Sequence, residues 1–146
     1  MGQGGLFSAT QIASSGLAAE RLRMEVAANN IANANSTRTA DGTPYRRQQV
    51  VFTAAMQQAM GRNINGDHLT GVAIEGVQDD MSELPRLHSP GHPHADADGY
   101  VTLPNVKLPT EMVDMMTAAR AYEANLKSLQ VFRNMTEQSL SLLKGS

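Results

Sequence analysis

The chain contains no cysteine and no tryptophan, and three tyrosines and three phenylalanines are all it offers in Phe, Trp and Tyr side chains. The missing cysteine excludes disulfides and thiolate nucleophiles. With hydrophobic residues at 41% but aromatics at only 4%, the apolar content is Ala, Leu, Val and Met, so a core built on large rings is not expected. Charge of either sign is in short supply as well. Twelve basic residues against fourteen acidic ones leave a net charge of −2, which gives no electrostatic footprint for nucleic acid or an anionic membrane surface. No apolar run is long enough to form a membrane-spanning helix, so direct membrane insertion is not expected. The opening "MGQGGL" lacks the basic region and apolar stretch of a cleaved secretory signal, and Leu6 stands where the myristoylation pattern wants Ser or Thr.

What is present is concentrated at the two ends. From about Leu6 to Ala34, Leu17, Met24 and Ile31 recur every seven residues, Ala13 and Ala28 fill in the same stripe, and Ile12, Ala19 and Val26 form a second row beside it. The pattern predicts an amphipathic helix of about 40 Å, with Arg21 and Glu25 spaced as an intrahelical pair. At the other end, Pro109 and Thr110 read as a stop and cap, Glu111 and Asp114 oppose the helix dipole, and Lys144 and Gly145 close a second helix. Within it Met115, Tyr122 and Leu129 keep heptad spacing, and Ala119 and Leu126 interleave. Leu140 and Leu143 resume that seam after Arg133 and Thr136 interrupt it, and Glu123 with Lys127 reads as an outer ion pair.

The middle differs in kind. "PYRRQQVVF", "LTGVAIEGVQ" and "GYVTLP" carry the β-branched content and alternation of short strands, whereas 85–99, "PRLHSPGHPHADADG", reads as loop. Residues 54–68 read as a short helix or a mobile loop. The expected fold class is therefore mainly α with a small antiparallel β unit: long N- and C-terminal helices form a coiled-coil-like pair around it. The expected division is a terminal helical part, 1–36 with 106–146, and a β-rich middle, 37–105.

Catalytic chemistry finds little to work with. His88, His92, His94, Asp96 and Asp98 fall within eleven residues and are the one candidate for a zinc site. Pro90, Gly91 and Pro93 prevent two of these ligands from sharing a helical face, so a polar surface loop is the preferred reading. A calcium loop laid over 94–105 places His94 at the first ligand position and Asn105 where a bidentate Glu belongs. There is no Gly-x-Ser-x-Gly elbow, and Arg46 with Arg47 reads more simply as a strand beginning after a turn than as a phosphate clamp. No cofactor, metal or small-molecule substrate is expected, and the chain reads as a non-enzyme.

The helices themselves suggest a function. Two long, narrow, Ala-rich helices cannot bury both apolar rows against a single partner, which leaves Ile12, Ala19, Val26, Met112, Met116 and Phe132 to seek other chains. Covering a few hundred Å² at about 25 cal/mol per Å² supplies several kcal/mol of gross driving force for assembly. Four asparagines near the end of the first helix fit that setting. Asn33 and Asn35 are expected to stop it, since Asn tolerates the left-handed conformation and its amide can bond free carbonyls. Asn29 and Asn30 lie one turn inside, where a buried amide fixes register if a matching group faces it; Asn125 is the candidate partner. Replacing Asn30 by Leu is then expected to keep the protein helical while scrambling its order of assembly. The expected packing and assembly residues are Leu17, Met24, Asn30, Ile31, Asn33, Asn35, Met112, Met115, Ala119, Tyr122, Asn125, Leu126 and Leu129.

"SGLAAERLRMEVAANNIANANSTRT" resembles the N-terminal signature of axial proteins of the bacterial flagellum, the rod and hook family. The resemblance continues through "DGTPYRRQQVVF", resumes at "HPHADADGYVTLPNV" and runs through "EMVDMMTAARAYEANLKSLQ", with the proximal rod branch the nearest in character. The family tends to carry Asp where His94 stands and lacks Pro109, and the absence of a large insert between the β segments suits a small inner rod subunit. The resemblance implies a building block exported through the flagellar type III apparatus without a cleaved signal and placed in the periplasmic rod of the basal body. Its expected partners are copies of itself and other rod and axial proteins. It also implies terminal helices that form a layer around a central channel, with the β unit facing outward. Two alternatives remain beside it: a metal-dependent enzyme using His88, His92 and His94, and a soluble coiled-coil adaptor forming a discrete dimer.

Overall fold

A computed structural model describes the backbone of residues 3–54 and 71–144, and the side chains of 9–53 and 71–142. Among them the order is α1 (Gln3–Ala32), β1 (Gln48–Ala54), β2 (Val72–Asp79), β3 (Arg86–His88), β4 (Tyr100–Thr102) and α2 (Leu108–Lys144). The mainly helical class with a small antiparallel β region is the one expected. Almost all of 54–68 lies outside the described residues, as does the side chain of Leu143.

Both helices are long because nothing in them interrupts the ladder. α1 has 30 residues and α2 has 37, roughly 45 and 55 Å of helix. α2 starts at Leu108, so Pro109 and Thr110 lie inside its first turn and are not its cap. Proline is tolerated there because the first-turn N–H groups have no intrahelical partner. The Glu111 N–H opens the ladder by donating to the Lys107 carbonyl at 3.1 Å.

The end of α1 departs from the expected left-handed cap. Among the described residues no non-glycine residue has a positive φ. The helix tightens: the Ala34 N–H donates to the Ile31 carbonyl at 3.2 Å and the Ser36 N–H to the Asn33 carbonyl at 3.0 Å. Asn33 does cap with its amide, which donates to the Asn29 carbonyl at 2.9 Å.

Two two-stranded sheets lie between the helices in sequence, β1 with β2 and β3 with β4. In the second, Arg86, Leu87 and His88 face Thr102, Val101 and Tyr100 in antiparallel register. β3 corrects the reading of 85–99 as loop. Three residues between Pro85 and Ser89-Pro90 are too few to show alternation, and only the partner strand defines them. The turn between β3 and β4 closes on Gly99, whose φ of 79° favours glycine and where a Cβ would stand 3.0 Å from the Pro90 Cβ.

The chain forms two compact units, and each helix contributes to both: one unit comprises 1–22, 52–75 and 118–146, the other 23–51 and 76–117. The first has alanines at its buried core positions among the described residues, Ala13, Ala19 and Ala118. The second buries Val26, Ala27, Tyr45 and Val101 together with two polar side chains, Asn30 and Glu111.

Candidate assembly site

In the second unit the site begins with Glu111. In phase with Met115, it lies on the stripe that α2 turns inward and is only 1% exposed. A carboxylate so placed must be paired to be tolerated. The Arg47 guanidinium donates from Nε to Glu111 Oε1 at 2.6 Å and also approaches Asp80 at 3.8 Å and Asp114 at 3.5 Å. The hydrogen bond to Glu111, more than any of the neighbouring charges, raises the Arg47 pKa above its ordinary value and keeps the group charged. Asp114 extends the chain of charges to Arg23 on α1 at 3.6 Å.

Asn30 completes the arrangement at 0% exposure. Its Nδ2 donates to Glu111 Oε2 and to the Gln48 carbonyl, both at 2.8 Å. Its Oδ1 accepts from the Tyr45 hydroxyl at 2.9 Å and from the Gln48 N–H at 2.8 Å. Both donors and both acceptor positions of the amide are thereby used. Burial, followed by the carboxylates of Asp79 and Glu111, raises the Tyr45 pKa and keeps its phenol protonated as a donor. The Arg47 N–H donates to Asn105 Oδ1 at 2.7 Å, and Asn105 Nδ2 donates to the Asp80 carbonyl at 3.1 Å and to Ser82 Oγ at 2.8 Å. Among the described residues no buried side-chain nitrogen or oxygen lacks a partner.

The partner of Asn30 across the helices is thus Glu111 and not Asn125. Asn125 belongs to the other unit, where its amide lies against Gly16: a Cβ there would be 2.9 Å from Nδ2. In that unit Ser15 Oγ donates to the Ile12 carbonyl at 2.8 Å and accepts from the Val72 N–H at 3.3 Å, which docks the start of β2 on α1.

The remaining expected site residues divide by exposure. Leu17, Met24, Ile31, Asn33, Met115, Ala119, Tyr122, Asn125 and Leu129 are half-buried, while Asn35, Met112 and Leu126 are exposed. Of the row expected to stay uncovered, Ala19 and Val26 are buried within the chain, whereas Met112 and Met116 are exposed as expected. Ala28, expected in the buried stripe, is exposed, and so is Leu140, expected to resume the seam. The uncovered large side chains lie chiefly on α2: Leu108, Met112, Val113 and Met116 in one unit, and Leu126, Val131, Met135, Leu140 and Leu142 in the other. On the outer face of α2, Arg133 pairs with Glu137 at 2.9 Å; no such pair joins Glu123 to Lys127.

His92 and His94 stack edge-on at 5.4 Å, apart from His88. His88 stacks edge-on to Tyr100 at 4.9 Å, His94 Nδ1 hydrogen bonds the Thr37 hydroxyl at 2.8 Å, and His92 Nδ1 accepts from the His94 N–H at 3.0 Å. Among the described residues no three His, Asp or Glu side chains converge into a metal-binding group. Asp96 accepts from the Tyr100 and Asp98 N–H groups and pairs with Arg86. No helix of the described residues is long and apolar enough to cross a membrane.

Two long helices held by an internal polar lock, with bulky apolar side chains left uncovered along one of them, define a helical structural subunit. Residues 11–38 match the family "Flagella basal body rod protein", and residues 97–142 match "Flagellar basal body rod FlgEFG protein C-terminal". The chain is 42% identical to the flagellar basal-body rod protein FlgC of Borreliella burgdorferi, over 97% of this chain and 99% of that protein. It is also 42% identical to FlgC of Salmonella typhimurium, over 94% and 97%, and 36% identical to FlgC of Aquifex aeolicus, over 95% and 98%. The chain belongs to the flagellar basal-body rod protein family and is a structural subunit of the basal-body rod.

Proposed function

We propose that the terminal segments, 1–36 and 106–146, carry assembly, and that the uncovered face of α2 is covered in the rod by helices of neighbouring subunits. The neighbours are copies of this chain and other rod and axial proteins, and contacts between unlike faces build an open helical array that transmits torque. The middle, 37–105, adds further contacts between subunits. The subunit reaches the periplasmic rod through the flagellar type III apparatus, and works with no cofactor or small-molecule substrate. Family membership supports the place and the route. The observation that carries the mode of assembly is the set of exposed large apolar side chains on a helix whose opposite stripe is already in use.

The test is imaging of basal bodies from cells in which the chain carries Val131→Glu and Met135→Glu as its only copy. These positions are exposed, so the subunit itself is expected to fold and accumulate while rods fail to form. Normal rods in that strain would overturn the assignment of α2 as the assembly face.

A further inference from the structure

We propose that Met112 and Met116 form an oxidation-sensitive pair whose conversion to sulfoxides shuts the free subunit out of the rod; the inference rests on the reading of α2 as an assembly face. With no cysteine in the chain, its nine methionines are its only sulfur. Met112 and Met116 are 51% and 56% exposed, four residues apart on one helical face, with Val113 exposed beside them. Met24 and Met115 are half-buried. The outer surface of α2 at this end is thus apolar and oxidisable together.

The reaction needs only hydrogen peroxide. The thioether sulfur attacks the peroxide oxygen, the O–O bond breaks, one oxygen remains on sulfur, and the other leaves as water. Sulfur is oxidised by two electrons and the peroxide is reduced by two. The product exchanges a flexible apolar side chain for a polar, chiral one and is reversible by methionine sulfoxide reductases. On a free subunit the new S=O is hydrated and costs little. Buried against an apolar neighbour it has no donor, and each unsatisfied group weakens the contact on the order of tenfold or more. Leucine at the same positions fills similar volume and cannot be oxidised.

Met81 supplies an internal control, since it is 78% exposed and lies off both helices, in the segment after β2. The purified full-length chain is treated with hydrogen peroxide, and oxygen incorporation is mapped by peptide mass. Met81, Met112, Met116 and Met135 are expected to react several-fold faster than Met24 and Met115; faster reaction at Met24 and Met115 overturns the inference. In cells, strains whose only copy is native, Met112→Leu/Met116→Leu, or Met112→Gln/Met116→Gln receive a peroxide pulse before new rods form. The Leu strain, which keeps Met135 oxidisable on α2, is expected to fall behind its untreated rate by several-fold less than the native strain does. The Gln strain, polar at both sites, is expected to fail without peroxide. Equal peroxide sensitivity of native and Leu strains, or normal rods in the Gln strain, overturns the oxidation pair. Normal rods in the Val131→Glu/Met135→Glu strain overturn instead the reading of α2 as an assembly face.

Discussion

The two compact units use the same pair of helices and hold them together by opposite means. In the unit of 23–51 and 76–117, a buried carboxylate, an amide with every bond made, a guanidinium and a phenol lock residues that lie up to 81 positions apart in sequence. In the unit of 1–22, 52–75 and 118–146, the buried core positions are alanines, and large apolar side chains point outward. A buried alanine methyl contributes only about 0.8 kcal/mol. The lock and the exposed apolar side chains share α2: Glu111 is buried where Met112, Val113 and Met116 are exposed, and Val131 and Met135 are exposed in the other unit. A polar lock tolerates little change, whereas an alanine contact permits close approach and leaves most of the apolar surface available.

Breaking the lock tests this contrast most severely. Glu111→Ala strands the Arg47 guanidinium and one Asn30 donor, and is expected to cost about 3–5 kcal/mol in urea unfolding. Asn30→Leu leaves the Tyr45 hydroxyl, both Gln48 backbone groups and Glu111 without their partner, so a loss of about 3 kcal/mol is expected in the same measurement. That outcome replaces the sequence expectation that this substitution spares the fold and alters only the order of assembly. An Asn30→Leu protein as stable as the native one would show that the lock is not what holds this unit.

Smaller effects are expected in the alanine-lined unit. Gly16→Ala gains about 1 kcal/mol of helix propensity but presses on the Asn125 amide, so its thermal midpoint is expected to stay near the native one. Combining it with Asn125→Ala removes the obstacle, and the double variant is expected to be more stable than Gly16→Ala alone. Met135→Ser and Leu140→Ser, both on exposed side chains, are expected to change subunit stability by no more than about 0.5 kcal/mol.

The smallest expected effect concerns the turn between β3 and β4. The Tyr100 N–H, followed by Arg86, holds the Asp96 carboxyl below its usual pKa. A depressed folded pKa means that its contribution is present above the unfolded value and is lost as pH falls through the folded one. The Tyr100 amide resonance is therefore expected to stay constant through neutral pH and to move only in the acid range below the ordinary carboxylate pKa. An amide resonance indifferent to pH throughout the acid range would show that Asp96 does not hold this turn.

Much of this was legible in the residues. Heptad spacing through Leu17, Met24 and Ile31, and through Met115, Tyr122 and Leu129, marked both helices, because a 3.6-residue period is a local property. The placement of Glu111 on the same stripe as Met115 and Tyr122 is a visible sign that its carboxylate is buried, beyond its role opposite the helix dipole. Arg47 and Tyr45 gave no such sign. In "GTPYRR" they look like ordinary strand residues, and their roles exist only because residues 30 and 111 arrive beside them. β3 was missed for the same reason, since three residues have no period.

Composition and period alone determined a helical subunit with apolar surface to spare: helix formation and amphipathicity depend on residues near one another in the chain. Tertiary structure decided which row of each helix is covered, that Asn30 answers Glu111 and not Asn125, and that Met112, Met116 and Met135 stay uncovered on α2. Those choices depend on partners distant in sequence, whose hydrogen bonds and ion pairs select one register from several that the apolar pattern permits equally well.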